Sequence, residues 1–181
     1  MTMTKLIDDL TEWLQEEVCN KLVFKKASIK GDVNYEYELV HPTAFPCFCP
    51  PQDKTNLPIT PSVTVQVDNA VDDLENESTV NIALVVAVWN TGTHDNRGEV
   101  PKFEKTLDGW RDLWCFIDNI RQAIRNNFSV ADYKVVGDVN IRPLAGDSAI
   151  MGTYPYFFGE VTFTVETINS TTGNVDIMKM L

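Results

Sequence analysis

Basic residues are scarce in this chain, and the scarcity excludes a class of partners. Against 26 Asp and Glu stand 15 Lys and Arg, for a net charge of −11. Nucleic-acid affinity comes largely from counterions released when Lys and Arg neutralise phosphates, so tight binding to a phosphate backbone is disfavoured. Lys25, Lys26 and Lys30 are too thin a patch to reverse that. Long apolar runs are missing too. A membrane span takes about 20 consecutive apolar residues, and the richest run, Val80 to Trp89, is far shorter. The opening Met-Thr-Met-Thr-Lys-Leu-Ile-Asp-Asp is not expected to be a signal peptide, because Asp8 and Asp9 interrupt the place of its apolar core. The phosphate-cradling patterns Gly-x-x-x-x-Gly-Lys and Gly-x-Gly-x-x-Gly are absent, as is the Gly-x-Ser-x-Gly nucleophile elbow. The four cysteines are expected to stay reduced in a cytoplasmic setting. Cys19 and Cys115 fall inside helical patterns and are expected as buried thiols.

What is present suffices for a core. The 181 residues fit one domain, 1–181, and a hydrophobic fraction of 44% is that of a folded chain. Leu6, Ile7, Leu10, Trp13, Leu14 and Val18 recur at three- and four-residue spacing and predict a helix over about Thr4–Lys21. Asp8 and Asp9 in its first turn and Lys21 in its last would complement the helix dipole. Gly31-Asp32 reads as a turn before an alternating strand, Tyr35–Val40. Residues 41 to 61 hold six of the nine prolines. Proline denies a ladder its N–H donors, so this stretch is expected as a Pro-rich loop; loops longer than about 15 residues are usually functional or mobile.

Ser62–Asp68 alternates as a half-buried strand, Asp72–Ser78 is an acidic turn, and Val80–Trp89 returns antiparallel as a buried strand. Asn90–Val100 reads as a polar loop. A second helix is expected over Leu107–Phe128, capped by Thr106 or Asp108. Leu107, Trp110, Leu113, Trp114, Ile117, Ile120 or Arg121, Ile124 and Phe128 trace its core face. Tyr133–Ile141 and Tyr156–Ile168 are strands, with a bulge expected around Gly159. Consecutive strands without intervening helices predict an α+β domain: a mainly antiparallel β-sheet with two amphipathic helices packed on it.

Chemistry-bearing clusters are few. His41, Cys47 and Cys49 are residue types that zinc favours, but paired cysteines in structural sites usually stand two to four residues apart. The competing reading is a proline-rich loop packing small side chains on the sheet. His94 and Asp95 resemble a base and its orienting carboxylate, yet no activated nucleophile accompanies them. Asp72, Asp73, Glu75 and Glu77 lack the central glycine and terminal glutamate of an EF-hand loop, so a charged hairpin tip is the plainer reading. Trp110 and Trp114, four apart on a helix, read as core rather than as a stacking platform. No catalytic, cofactor or metal residue is assigned, and no enzyme is expected.

Three stretches carry a resemblance. They are Thr4–Leu14, the strand Val80–Asn90 coupled to the helix Gly109–Ile124, and Tyr154–Thr167. In style and order they resemble tail terminator proteins of long-tailed bacteriophages and of prophage-derived tails, over most of residues 4 to 168. The loop from His41 to Pro61 departs from the compact members. The resemblance implies a structural virion protein of the tail or neck, present in the host cytoplasm during assembly. It implies a hexameric ring that caps the tail tube, ends its elongation and provides the surface for head joining. The implied partners are the tail tube protein and the head–tail connector protein, with no membrane and no cofactor, and DNA would pass through without specific binding. Loops 41–61, 90–103 and 143–154 are then expected contact surfaces. The alternatives are a head–tail connector or minor tail protein and, from another class, a zinc-stabilised binding module using His41, Cys47 and Cys49.

Overall fold

The computed structural model describes residues 2–27, 38–50, 59–72, 77–95, 102–144 and 154–168. Helix α1 (Met3–Glu17) starts where Thr2 accepts a hydrogen bond from Lys5 N through its hydroxyl, a side-chain cap on an orphan donor. That start leaves Asp8 and Asp9 beyond the first turn rather than in it. Asp9 instead accepts from Lys5 Nζ one turn back, at 2.6 Å. The helix ends before Lys21, which belongs to a short 3-10 turn, Cys19–Lys21. Strand β1 (Phe24–Lys25) pairs with β2 (Leu39–Val40); residues 28–37, including the predicted turn at Gly31-Asp32, lie outside the described residues.

The predicted proline-rich loop is partly a strand. β3 (Thr43–Pro46) runs parallel to β4 (Ser62–Asp72), with Thr43 opposite Ser62 and Pro46 opposite Val65. An edge strand tolerates proline because one side of its backbone has no ladder to serve. Thr43 N and Cys47 N donate to Pro61 O and Val65 O, and these two bonds bracket the parallel pair. β5 (Glu77–Trp89) returns antiparallel to β4, as expected. The polar loop after it holds a small hairpin, β6 (Thr93–Asp95) with β7 (Lys102–Glu104). Helix α2 (Gly109–Asn127) ends on Phe128 in the left-handed conformation. β8 (Ser129–Val130), β9 (Tyr133–Leu144) and β10 (Tyr156–Ile168) complete the chain of elements.

Six strands form one sheet in the order β3-β4-β5-β10-β9-β8, antiparallel except at β3. The fold is α+β, and both helices cover the same face. Partners across a ladder share a face, so the register shows what that face carries. Val65, Leu84, Val161 and Ile141 form one row across β4, β5, β10 and β9, and Val67, Ile82 and Phe163 form the next. Leu6, Leu10 and Leu14 of α1 and Phe116, Ile117, Ile120 and Ile124 of α2 close over these rows. α1 lies on β3 and β4, α2 on β5 and β10. The opposite face is mixed: Thr64, Val85, Glu160 and Arg142 form one of its rows.

The bulge expected at Gly159 lies elsewhere. The β10–β9 register slips between Thr162 and Thr164, and Gly137, at φ +71°, falls in the extra length of β9. Gly159 serves close approach instead. A Cβ there would stand 2.7 Å from Ile117 Cδ1 and 3.3 Å from Leu113 Cδ1, so the missing side chain lets α2 settle on the sheet. Gly109 does the same at the start of α2, against the ring of Phe157.

Candidate assembly surfaces

Where β5 leaves the sheet, polar groups converge and fix the root of the 90–103 loop. Asn90 and Thr91 are buried. Asn90 Nδ2 donates to Asp112 Oδ2 at 2.6 Å, while its Oδ1 accepts from Gly92 N at 2.9 Å and from Lys25 Nζ at 3.1 Å. Lys25 Nζ also donates to Gly92 O at 2.7 Å. Tyr154 OH donates to Thr91 O, and Asn90 N donates to Pro155 O at 3.0 Å. Burial lowers the Lys25 pKa, with the Asp112 carboxylate opposing that shift. One knot therefore ties β1, the end of β5, the first turn of α2 and the approach to β10. Gly92, at φ +133°, is needed in it, because a Cβ would run into Glu104 O. The Lys25 amine and the Asn90 amide are both engaged with protein groups, as befits a structural tie.

The sequence reading missed this knot. Lys25 was weighed only as part of a basic patch, and its partners stand 65 and 67 residues away. The local signal was Asn90 directly after a buried strand and two residues before a glycine. A cavity of about 360 Å³ lined by Lys105, Thr106, Leu107 and Tyr154 opens nearby in the chain.

Among the described residues, those picked out for chemistry do not come together. His41 Nδ1 is hydrogen-bonded with Leu22 O at 2.7 Å. Cys49 Sγ lies 3.9 Å from Ser62 Oγ, and burial raises its pKa. Among the described residues no group of three or more His, Cys, Asp or Glu is placed to hold a metal ion. His94 and Asp95 both belong to β6, and their side chains lie outside the described residues. Of the acidic cluster, Asp72 is exposed at the end of β4; Asp73 and Glu75 and the side chain of Glu77 lie outside the described residues. Of the three loops, 51–58, 96–101 and 145–153 lie outside them as well. Phe48, in the described part of the first, is 80% exposed.

The largest correction concerns α2. Trp110 and Trp114, expected in the core, are 49% and 36% exposed, and Leu107 is 49% exposed. Phe116, absent from the expected stripe, is fully buried and stacks on Phe24 with centroids 5.5 Å apart. Cys115 is exposed, whereas Cys19 is buried as expected and its thiol is pushed up to about 12 by desolvation. The physical reason is the width of the contact. A helix on a sheet buries one stripe, and the stripe through Leu113, Phe116, Ile117, Ile120 and Ile124 fills it. Asn119, Gln122, Ala123 and Asn126 face a groove of about 160 Å³ shared with Trp13 and Glu17 of α1 and with Lys21 of the 3-10 turn after it. At about 100° per residue, Trp110, Trp114, Arg121 and Arg125 fall on the flank of α2 turned away from that groove. Exposed aromatic groups aligned on one flank are the composition of a protein-binding surface rather than of a small-molecule pocket.

Neither a protein-family model nor a curated protein sequence matches the chain. No helix among the described residues is long and apolar enough to cross a membrane.

Proposed function

We propose that this protein is a structural component of a phage or prophage tail, a terminator that caps the tail tube as a ring. The observation that carries the proposal is the open flank of α2, where Trp110 and Trp114, with Leu107 just before the helix, meet solvent while the opposite stripe is packed on the sheet. Large apolar groups held outward on a rigid element are suited to docking against other proteins. The three stretches that resemble tail terminators also form one body here. Leu6, Leu10 and Leu14, then Ile82, Leu84, Phe116 and Ile120, then Val161 and Phe163 belong to a single core. The net charge of −11 suits a ring through which DNA passes unheld, since acidic walls repel phosphate. In this reading the tube protein and the head–tail connector are the partners, the ring is a hexamer, and the protein resides in the virion neck.

Negative-stain microscopy of particles assembled with and without this gene tests the proposal. Tails of variable or runaway length, or normal tails that fail to join heads, are the expected result of deletion. Tails of normal length joined normally to heads would overturn it.

A further inference from the structure

We propose that the outward flank of α2 docks on the acidic row of α1 in a second copy of this chain. The inference rests on the ring reading above and names the contact that closes the ring. Asp8, Glu12 and Glu16 stand at four-residue intervals along the exposed side of α1, and none of them makes an ion pair among the described residues. Lys5 and Lys21, the basic residues beside that row, are engaged by Asp9 and Glu17 of the same chain. On α2, Arg121 and Arg125 have the same four-residue spacing. That spacing is a rise of about 6 Å on either helix, so two carboxylates can face two guanidinium groups in register.

Arg121 is held only by Asp118 at 3.4 Å, with both side chains about half exposed, and Arg125 makes no ion pair among the described residues. Toward the other end of the flank, Arg111 lies over the Trp110 ring at 5.2 Å, adjoining Trp114. The flank thus offers an aromatic end and a basic end within a strongly acidic molecule. One copy cannot satisfy itself, because the flank faces away from its own α1. The two halves of the contact therefore lie on different surfaces of the molecule. Such a heterologous contact passes from copy to copy and closes into a ring where its rotation allows.

A charge-swap experiment on the full chain tests the contact. Sedimentation velocity follows association of the wild-type chain, of Arg121→Glu/Arg125→Glu, and of Glu12→Lys/Glu16→Lys, up to about 1 mM protein, the range of weak contacts. The wild-type chain is expected to self-associate, and each double variant alone to weaken association about tenfold or more, because like charges then face each other. An equimolar mixture of the two variants restores every opposed pair and is expected to recover association. Circular dichroism establishes that each variant is folded, and recovery in the mixture establishes it independently. A wild-type chain that stays monomeric throughout would overturn the contact. So would association that neither variant alters, which would leave a ring closed through another surface. Restored association together with normal tails in the deletion strain would keep the contact and discard the tail function.

Discussion

Tyr133 illustrates how single groups join distant elements. Its hydroxyl donates to Asp9 Oδ2 at 2.6 Å, linking α1 to the start of β9 across 124 residues of sequence. Burial, and then the bond to Asp9, push its pKa up to about 12. The unfolded chain releases that proton near the ordinary value of 10, so the stabilisation is complete below pH 10 and is lost as pH rises towards 12. The Asp9 carboxyl moves the other way: Lys5 first, and then Tyr133, hold it below its usual 3.8. Its contribution is present above that value and is lost as pH falls below it. Tyr133→Phe is expected to cost about 1 kcal/mol in urea unfolding at pH 7. The gap between wild type and variant should narrow from pH 10 to pH 12, and a gap constant with pH would show that the phenol does not titrate through this bond. Nothing local in the sequence marks this pair. Hydrogen-bonding capacity is visible in a residue type, but its partner is chosen by the fold, and the same holds for Lys25 with Asn90.

At the scale of elements the helices and strands were legible, and their orientation was only half so. The α+β class, the antiparallel core strands and both helices followed from periodicity, and β10 has the expected bounds, Tyr156–Ile168. The facing of α2 followed only in part: Leu113, Ile117, Ile120 and Ile124 are buried as expected, but the buried stripe is turned towards Phe116 and away from Trp110, Trp114 and Phe128. The expected stripe was drawn too wide on the tryptophan side, because side-chain size favoured the two indoles. The sheet accepts the side that carries Phe116, since Gly159 and Gly109 clear space for α2 there. Stability measurements separate the two orientations. Trp110→Ala and Trp114→Ala are each expected to cost about 1 kcal/mol, since both rings are only partly covered. Phe116→Ala should cost about 3–5 kcal/mol. A loss of that size at either tryptophan would contradict the observed facing. Gly159→Ala should cost about 1–3 kcal/mol through overpacking against Ile117 and Leu113, with thermal melts as the readout. Proline content misdirected the reading of β3, because a sheet edge needs donors on one side only.

For the molecule as a whole, charge acts at two ranges, and salt distinguishes them. Every copy carries −11, so two copies repel each other across their full separation. The proposed contact instead places Glu12 and Glu16 against Arg121 and Arg125 within a few ångströms. Screening removes the long-range repulsion first: the Debye length is about 30 Å at 0.01 M salt, about 8 Å at 0.15 M and about 3 Å at 1 M. Between the first two values the repulsion fades while close pairs keep most of their attraction. Towards the third, the pairs are screened as well. Self-association measured by sedimentation is therefore expected to strengthen from about 0.01 M to about 0.15 M salt and to weaken again towards 1 M. In Arg121→Glu/Arg125→Glu no close attraction remains to be screened, so its residual association should rise with salt throughout. An apolar contact without paired charges would give the wild-type chain that same monotonic rise, and the Trp110–Trp114 end of the flank would then hold the copies together alone.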